Sequence, residues 1–231
     1  YVERLVKPTI EEPLRSDWDL VRAEVRQLVE AGKVETAQER VRDFHHQLCA
    51  IRVLDPACGT GGFLYVTLDL FKRLEAEVLA QLQGLGYTQM GLELEKYRVT
   101  PEQFRGIEVK PWAKEIAELV LWIGYLQWQV KQPGGALTIP EPVLRDYDNI
   151  ECRDAVLASD DVVPVFDDKG RAVSRWDGRT LKTHPVTGEK VPDEAARVPL
   201  MRYINPRQAE WPAADVVVGN PPFIGASTMR Q

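Results

Sequence analysis

Three cysteines in 231 residues, Cys49, Cys58 and Cys152, are too few and too scattered for a disulfide framework, and they lack metal-ligand spacing. Histidine is equally scarce: His45, His46 and His184 read as surface or helix-end residues rather than as a metal set. No apolar run reaches the length of a bilayer span. The longest, Ile116 to Val130, carries Glu118, Gln127 and Gln129 and reads as a buried helix. The opening YVERLVKPTIEEPL has no cationic start before an apolar core, so it does not read as a secretion signal. These absences leave a reducing, cytoplasmic setting without a membrane partner as the default.

Positive charge is also in short supply. A net charge of −6 is the wrong sign for a chain that grips phosphate unaided, because Lys and Arg supply most non-specific affinity for nucleic acid. Two phosphate signatures are missing as well. The glycines of PACGTGG are spaced G-x-G-G rather than G-x-G-x-x-G, and no G-x-x-x-x-G-K-[ST] loop occurs.

What is present is enough for one sizeable core: 44% of residues are hydrophobic and 28% charged. From Asp17 to Leu48, Leu20, Val21, Val25, Leu28 and Val29 recur at helical spacing. The pattern breaks near Gly32 and resumes through Val41, Phe44 and Leu48, which predicts two helices. IRVLD (Ile51 to Asp55) is a short β-branched run that leads through the glycine turn into a helix, half of a βαβ unit. QFRGIEV (Gln103 to Val109) predicts a second strand ending at an acid, and a helix with Pro111 in its first turn follows; Trp112, Trp122 and Trp128 on that helix read as packing residues. NIECRDAV (Asn149 to Val156) predicts a third strand, and ADVVVG a later one. Alternation of this kind implies a parallel sheet with its ligand crevice beyond the carboxyl ends of the strands. Between Ala158 and Ala213 the pattern changes: Asp167 to Gly170 and Thr187-Gly188 look like turns, RAVSRW suggests a hairpin, and Arg171, Arg175, Arg179 and Lys182 form a basic cluster.

The chemistry concentrates at strand ends. Asp55 precedes a glycine turn in which Gly59 and Gly61 let backbone approach a ligand. A carboxylate there repels phosphate and suits an amine. Glu108 stands where such folds place an acceptor for two ribose hydroxyls. An amino acid joined to a nucleoside satisfies both acids, which points to S-adenosylmethionine.

With DPACGTGGF upstream of NPPF, the chain resembles the amino-methyltransferases of DNA bases, specifically the adenine-N6 enzymes of restriction-modification and phage-defence systems. The resemblance implies cofactor-binding roles for Asp55, Pro56, Ala57, Gly59, Gly61, Glu108, Val109 and Asp154, with Val109 against the cofactor adenine and Asp154 on its amino group. It implies that Asn220, Pro221, Pro222 and Phe223 form the catalytic tetrapeptide. Adenine N6 has its lone pair delocalised into the ring, so the task is geometric. The Asn220 side-chain oxygen and the Pro221 carbonyl would each accept one N–H and turn the lone pair outward, while the two prolines hold them rigid and Phe223 offers a stacking face. No covalent enzyme intermediate and no metal are required. No Pro-Cys pair occurs, so a thiolate-based cytosine C5 mechanism is unsupported.

The fold this implies is an α/β, Rossmann-like methyltransferase with the strand order 3-2-1-4-5-7-6, of which this chain holds an incomplete parallel sheet, N-terminal helices and a hairpin-like insertion. The expected divisions are an N-terminal helical segment (1–50), the cofactor-binding half (51–157), the insertion (158–213) and the catalytic strand and loop (214–231). The order of motifs resembles the gamma-type group, whose target-recognition domain comes last. The chain is therefore expected to be an N-terminal catalytic fragment that reaches DNA through a recognition domain beyond it, with a nuclease fused or supplied separately. Two alternatives stay open: an amino-methyltransferase acting on RNA guanine N2, cytosine N4 or a protein glutamine, and a non-catalytic binding or scaffold subunit of a DNA-modifying system.

Overall fold

The computed structural model describes residues 2–91, 96–131 and 148–221. Two compact units separate: the described parts of Tyr1–Ala155 with Glu210–Gln231 form one, and Val156–Ala209 the other. The first is an α/β unit with a wholly parallel four-stranded sheet, β1 (Val53–Asp55), β2 (Phe104–Glu108), β3 (Ile150–Cys152) and β12 (Val216–Val217). Their order is β12-β1-β2-β3, which agrees with the 3-2-1-4 part of the expected order.

Among the described residues, five helices have both ends defined. Short α1 (Val2–Val6) runs through a π turn (Lys7–Glu11) into α2 (Glu12–Glu30); Pro8, which has no N–H to give, lies in that widened turn. In α2 the buried residues Trp18, Val21 and Val25 follow helical spacing, as do Ala37, Val41, Phe44 and Leu48 in α3 (Val34–Ala50). Gly32 separates the two at φ 73°, while the N–H of Lys33 bonds the Leu28 carbonyl at 2.8 Å, so the expected break at this glycine is a helix end of the left-handed kind. Trp18 and Phe44 meet across the pair with ring centroids 5.0 Å apart.

Helix α4 (Gly62–Gly84) follows β1, and α5 (Pro111–Lys131) follows β2. Phe71 of α4 meets Phe104 of β2 edge to face at 5.4 Å, which seats the helix on the sheet. The expectation that α5 is buried needs correcting. Ala113, Ala117, Leu121 and Tyr125 are buried, but Trp112, Ile116, Leu119, Ile123 and Val130 form a second apolar stripe that is 40–57% exposed. A hydrophobic run without strong polar contrast does not say which face turns inward. Trp128, half-buried, gives its indole N–H to Asp69 at 2.9 Å. Among the described residues, no helix is long and apolar enough to cross a membrane.

Polar side chains clip the strand ends together. The Gln103 amide donates to the carbonyls of Leu48 and Ile51, and the Asn149 amide to those of Pro101 and Phe104. Arg52 forks onto Asp215 at 3.0 Å through both guanidinium arms, and its backbone N–H adds a third bond to the same carboxylate. This fixes the start of β12 beside the start of β1 and pushes the Asp215 pKa down to about 2, chiefly through the guanidinium hydrogen bonds.

The second unit is antiparallel. β5 (Asp161–Pro164) pairs with β10 (Met201–Ile204), β4 (Leu157–Ala158) with β11 (Arg207–Gln208) and β7 (Leu181–Thr183) with β8 (Lys190–Pro192). RAVSRW takes part in two pairings. Across the Asp167–Gly170 turn its first residues pair locally, with Phe166 bridging Ala172, the Asp167 N–H on the Arg171 carbonyl at 2.9 Å and the Val173 N–H on the Val165 carbonyl at 2.8 Å, while β6 (Ser174–Trp176) pairs with β9 (Arg197–Pro199), more than twenty residues on. The basic cluster is exposed, with Arg171 on Asp167 at 2.9 Å and Lys182 on Asp193 at 3.7 Å.

His45 also departs from expectation: it is fully buried. Its Nε2 lies 3.4 Å from Oε1 of Glu75, whose other oxygen takes the buried Lys72 ammonium and which also accepts the Val99 N–H at 2.7 Å. His45, Cys49 and Glu75 place possible ligand atoms within 4.8 Å of one another, but the Lys72 cation on Glu75 opposes a metal there. Burial alone would raise the Glu75 pKa; the His45 hydrogen bond and the Lys72 charge outweigh it and hold it below the usual 4.5. Glu75→Ala, which strands a buried ammonium, is expected to cost about 3–5 kcal/mol. Because the folded pKa is depressed, this stabilisation is present above pH 4.5 and fades as pH falls below it. Urea unfolding of both proteins at pH 7 and pH 4 measures this: the gap between them should narrow in acid.

Candidate functional site

Parallel pairing carries the chemistry-bearing residues to one end of the sheet. β1 and β2 align Val53 with Phe104 and Asp55 with Gly106, so Asp55 ends one strand and Glu108 ends its neighbour two residues further on. On the other side Leu54 aligns with Val217, and the Val218 N–H bonds the Leu54 carbonyl at 2.9 Å. That continuation delivers Gly219, Asn220 and Pro221 beside the end of β1. Asn220 and Pro221 are exposed. Pro222 and Phe223, the rest of the expected tetrapeptide, lie outside the described residues.

Between β1 and α4 the glycine turn is stitched to β2. The Cys58 N–H bonds the Ile107 carbonyl at 3.1 Å, and the Gly59 N–H bonds Oε2 of Glu108 at 3.0 Å, while Oε1 of Glu108 accepts the Lys110 N–H at 2.9 Å. Two backbone donors thus hold the Glu108 carboxylate in place, and each oxygen keeps a lone pair for a further donor. The two positive-φ glycines differ. Gly59 (φ 55°) has open space where a side chain would stand, room for a ligand over the turn. At Gly61 (φ 82°) a Cβ would stand 3.1 Å from Ala117 of α5, so the missing side chain makes room for a helix. Gly106 is occluded too, since a Cβ there would lie 2.7 Å from Cys58 Sγ. Cys58 is therefore a packing residue, its thiol pKa pushed up to about 12 by burial and by the charges of Asp55 and Glu108.

Asp55 is only 1% exposed. Its Oδ1 accepts the Ala57 N–H at 3.0 Å, and its Oδ2 is buried with no hydrogen-bond partner among the described residues. Burial drives its pKa up to about 6 against the Ala57 hydrogen bond, and the charge of Glu108 adds to the rise. An orphaned buried carboxylate oxygen calls for a donor, and a cationic amine answers both the hydrogen bond and the charge. Pro56 and Ala57 line the same turn, half-buried. Val109 is 63% exposed just beyond β2, and Asp154 is exposed just beyond β3. Asp55, Gly59, Glu108, Val109 and Asp154 thus follow the carboxyl ends of three adjacent strands, with Asn220 after the fourth. The acceptor set fits S-adenosylmethionine: a carboxylate in need of an amine, and beside an open glycine turn a second carboxylate able to accept hydroxyls.

Residues 31–231 match the family described as MmeI, DNA-methyltransferase domain. Among curated proteins, the chain is 34% identical over 108 residues to DNA methyltransferase A of Bacillus subtilis (strain 168), covering 46% of this chain and 12% of that protein. It is 29% identical over 100 residues to a Methanocaldococcus jannaschii protein whose name joins a type II restriction enzyme to a methyltransferase, covering 43% of this chain and 8% of that one. A solved structure of the Type IIL restriction-modification enzyme MmeI in complex with DNA is similar at 30% identity and a TM-score of 0.41, over 56% of this chain and 16% of that one. The chain therefore spans a small part of the length of each relative it matches.

The electrostatics of Asp55 make a prediction for the cofactor-free protein. Its folded pKa is raised from 3.8 to about 6, so its contribution to stability is greatest where both states are protonated and is lost as pH rises through 6. Asp55→Asn, neutral at every pH and still able to accept from Ala57, should be more stable than the wild type at pH 7.5, by up to roughly 3 kcal/mol. Near pH 4 the two should be equally stable. Urea unfolding without cofactor at both pH values is the measurement.

Proposed function

Because the chain belongs to the MmeI DNA-methyltransferase domain family, we propose that it transfers a methyl group from S-adenosylmethionine to the N6 amine of adenine in DNA, as part of a restriction-modification or phage-defence system in the cytoplasm. The observation that supports this reading best is the neighbourhood at the carboxyl end of the sheet. An unpartnered buried carboxylate oxygen on Asp55, a backbone-held Glu108 and the Asn220-Pro221 acceptors follow three adjacent strands.

In this reading S-adenosylmethionine, when bound, supplies an electrophilic methyl group. Asp55 receives its amine, Glu108 its ribose hydroxyls and Val109 packs on its adenine, with Pro56, Ala57, Gly59 and Gly61 shaping the turn and Asp154 taking the adenine amino group. Asn220 and Pro221 each accept one N–H of the target amine. With both hydrogens so engaged, the nitrogen leaves the plane of the base and its lone pair is freed for the methyl group. Phe223 is assigned the stacking face for a base drawn out of the duplex. Sequence recognition is assigned to a domain outside these residues, and a fused or separate nuclease would complete the system. An acidic domain suits this division of labour, since the phosphate grip then belongs elsewhere.

Radiolabelled methyl transfer by the full-length protein to DNA, RNA and release factor separates the substrates, and hydrolysis of labelled DNA to nucleosides separates adenine N6 from cytosine N4. Labelled N6-methyladenine is expected; label in RNA or protein alone overturns the reading. Asn220→Ala is expected to bind cofactor as the wild type does and to lose turnover by on the order of 10²-fold or more, by analogy with removing one oriented group from a transition-state cradle. Retained turnover in that variant refutes the role given to Asn220.

A further inference from the structure

Gly219 is not a turn glycine. Its φ lies outside the left-handed region, so its backbone would accept alanine without strain. What it lacks is space. A Cβ at 219 would fall 2.5 Å from Oδ1, 3.1 Å from Cγ and 3.6 Å from Oδ2 of Asp55, and those three atoms, all of one carboxyl group, are its nearest neighbours. Gly59 is the reverse case, with a positive φ and open space.

Neither partner in this contact has freedom to move aside. Asp55 ends a strand whose three residues are at most 1% exposed, and its Oδ1 is tied to the Ala57 N–H. β12 is held to β1 by the Val218 N–H on the Leu54 carbonyl and, at its start, by the fork of Arg52 on Asp215. A methyl group at 219 must therefore turn the Asp55 carboxyl away or push the strand outward, and the short carboxyl arm is the softer of the two.

We propose that Gly219 is a positioning residue for cofactor binding: the missing side chain beside Asn220 is what lets the Asp55 carboxylate stand where it meets the cofactor amine. The strand that presents the target-base acceptors thereby also sets the cofactor acid. The inference rests on the reading in which Asp55 receives the amine of S-adenosylmethionine.

The test compares two ligands by calorimetry on the full-length protein: S-adenosylmethionine, which has the amine, and 5′-methylthioadenosine, which keeps the ribose and adenine but lacks the amino-acid arm. Gly219→Ala is expected to weaken S-adenosylmethionine at least tenfold and to leave 5′-methylthioadenosine within about twofold. Equal loss of both ligands, or loss of neither, overturns the proposal. Failure of the wild type to bind S-adenosylmethionine is a different outcome and refutes the underlying reading of the site.

A double variant keeps the test open should Gly219→Ala not fold. Asp55→Ala removes the atoms with which the new methyl group collides, so Asp55→Ala/Gly219→Ala should fold with a melting temperature close to that of Asp55→Ala alone. It should also bind S-adenosylmethionine no more weakly than that single variant, because the effect of residue 219 runs through Asp55. A further drop in either quantity in the double variant overturns the proposal.

Discussion

A carboxylate buried at the end of the central strand is the constraint around which this domain is arranged. β1 lies between β2 and β12, and its residues Val53, Leu54 and Asp55 are almost wholly shielded. An ionisable group in that position is unfavourable in the empty protein, as its raised pKa records. The surroundings make room for it rather than neutralise it: Ala57 offers one N–H, Gly219 withholds a side chain, and no cation pairs with it among the described residues. A site of this kind trades stability of the cofactor-free fold for affinity toward a cationic ligand.

The contrast with Glu75 clarifies the point. Both acids are about 1% exposed. Glu75 is surrounded by Lys72, His45 and the Val99 N–H and titrates below its usual range, whereas burial pushes Asp55 up to about 6. Burial is common to the two; what differs is whether the protein supplies the counter-charge. Where it does, the carboxylate holds α3 and α4 to the segment before β2. Where it does not, a ligand can.

The parallel sheet was legible in the sequence because its signals are local. β-branched runs ended at acids, a glycine turn opened a helix, and helical spacing marked α2 and α3. The strand-end residues were legible for the same reason, since parallel pairing brings successive strand ends to one side. What the sequence hid is set by contacts distant along the chain. His45 completes the helical stripe of Val41, Phe44 and Leu48, so its burial lay in the periodicity; what the sequence hid is its partner, Glu75, thirty residues on. That β6 pairs with the distant β9 was hidden because a two-sided polar ribbon carries no buried face from which its register could be read. The exposed stripe of α5 was hidden by its own uniformity, since two apolar faces look alike until one has packed.

Glycine shows the same division most sharply, because one residue type serves two physical needs that sequence cannot separate. Gly59 is required by its φ and leaves room for a ligand; Gly219 and Gly106 are required by what stands where a side chain would go. The first need belongs to a turn and can be read from neighbouring residues. The second belongs to a meeting of strands, and at Gly219 those strands carry Asp55 on one side and Asn220 on the other. Under the proposed function, fixing the two groups against a shared backbone would set the separation of methyl donor and acceptor before either ligand arrives. A transfer reaction limited by geometry rather than by acid or base strength gains most from such rigidity.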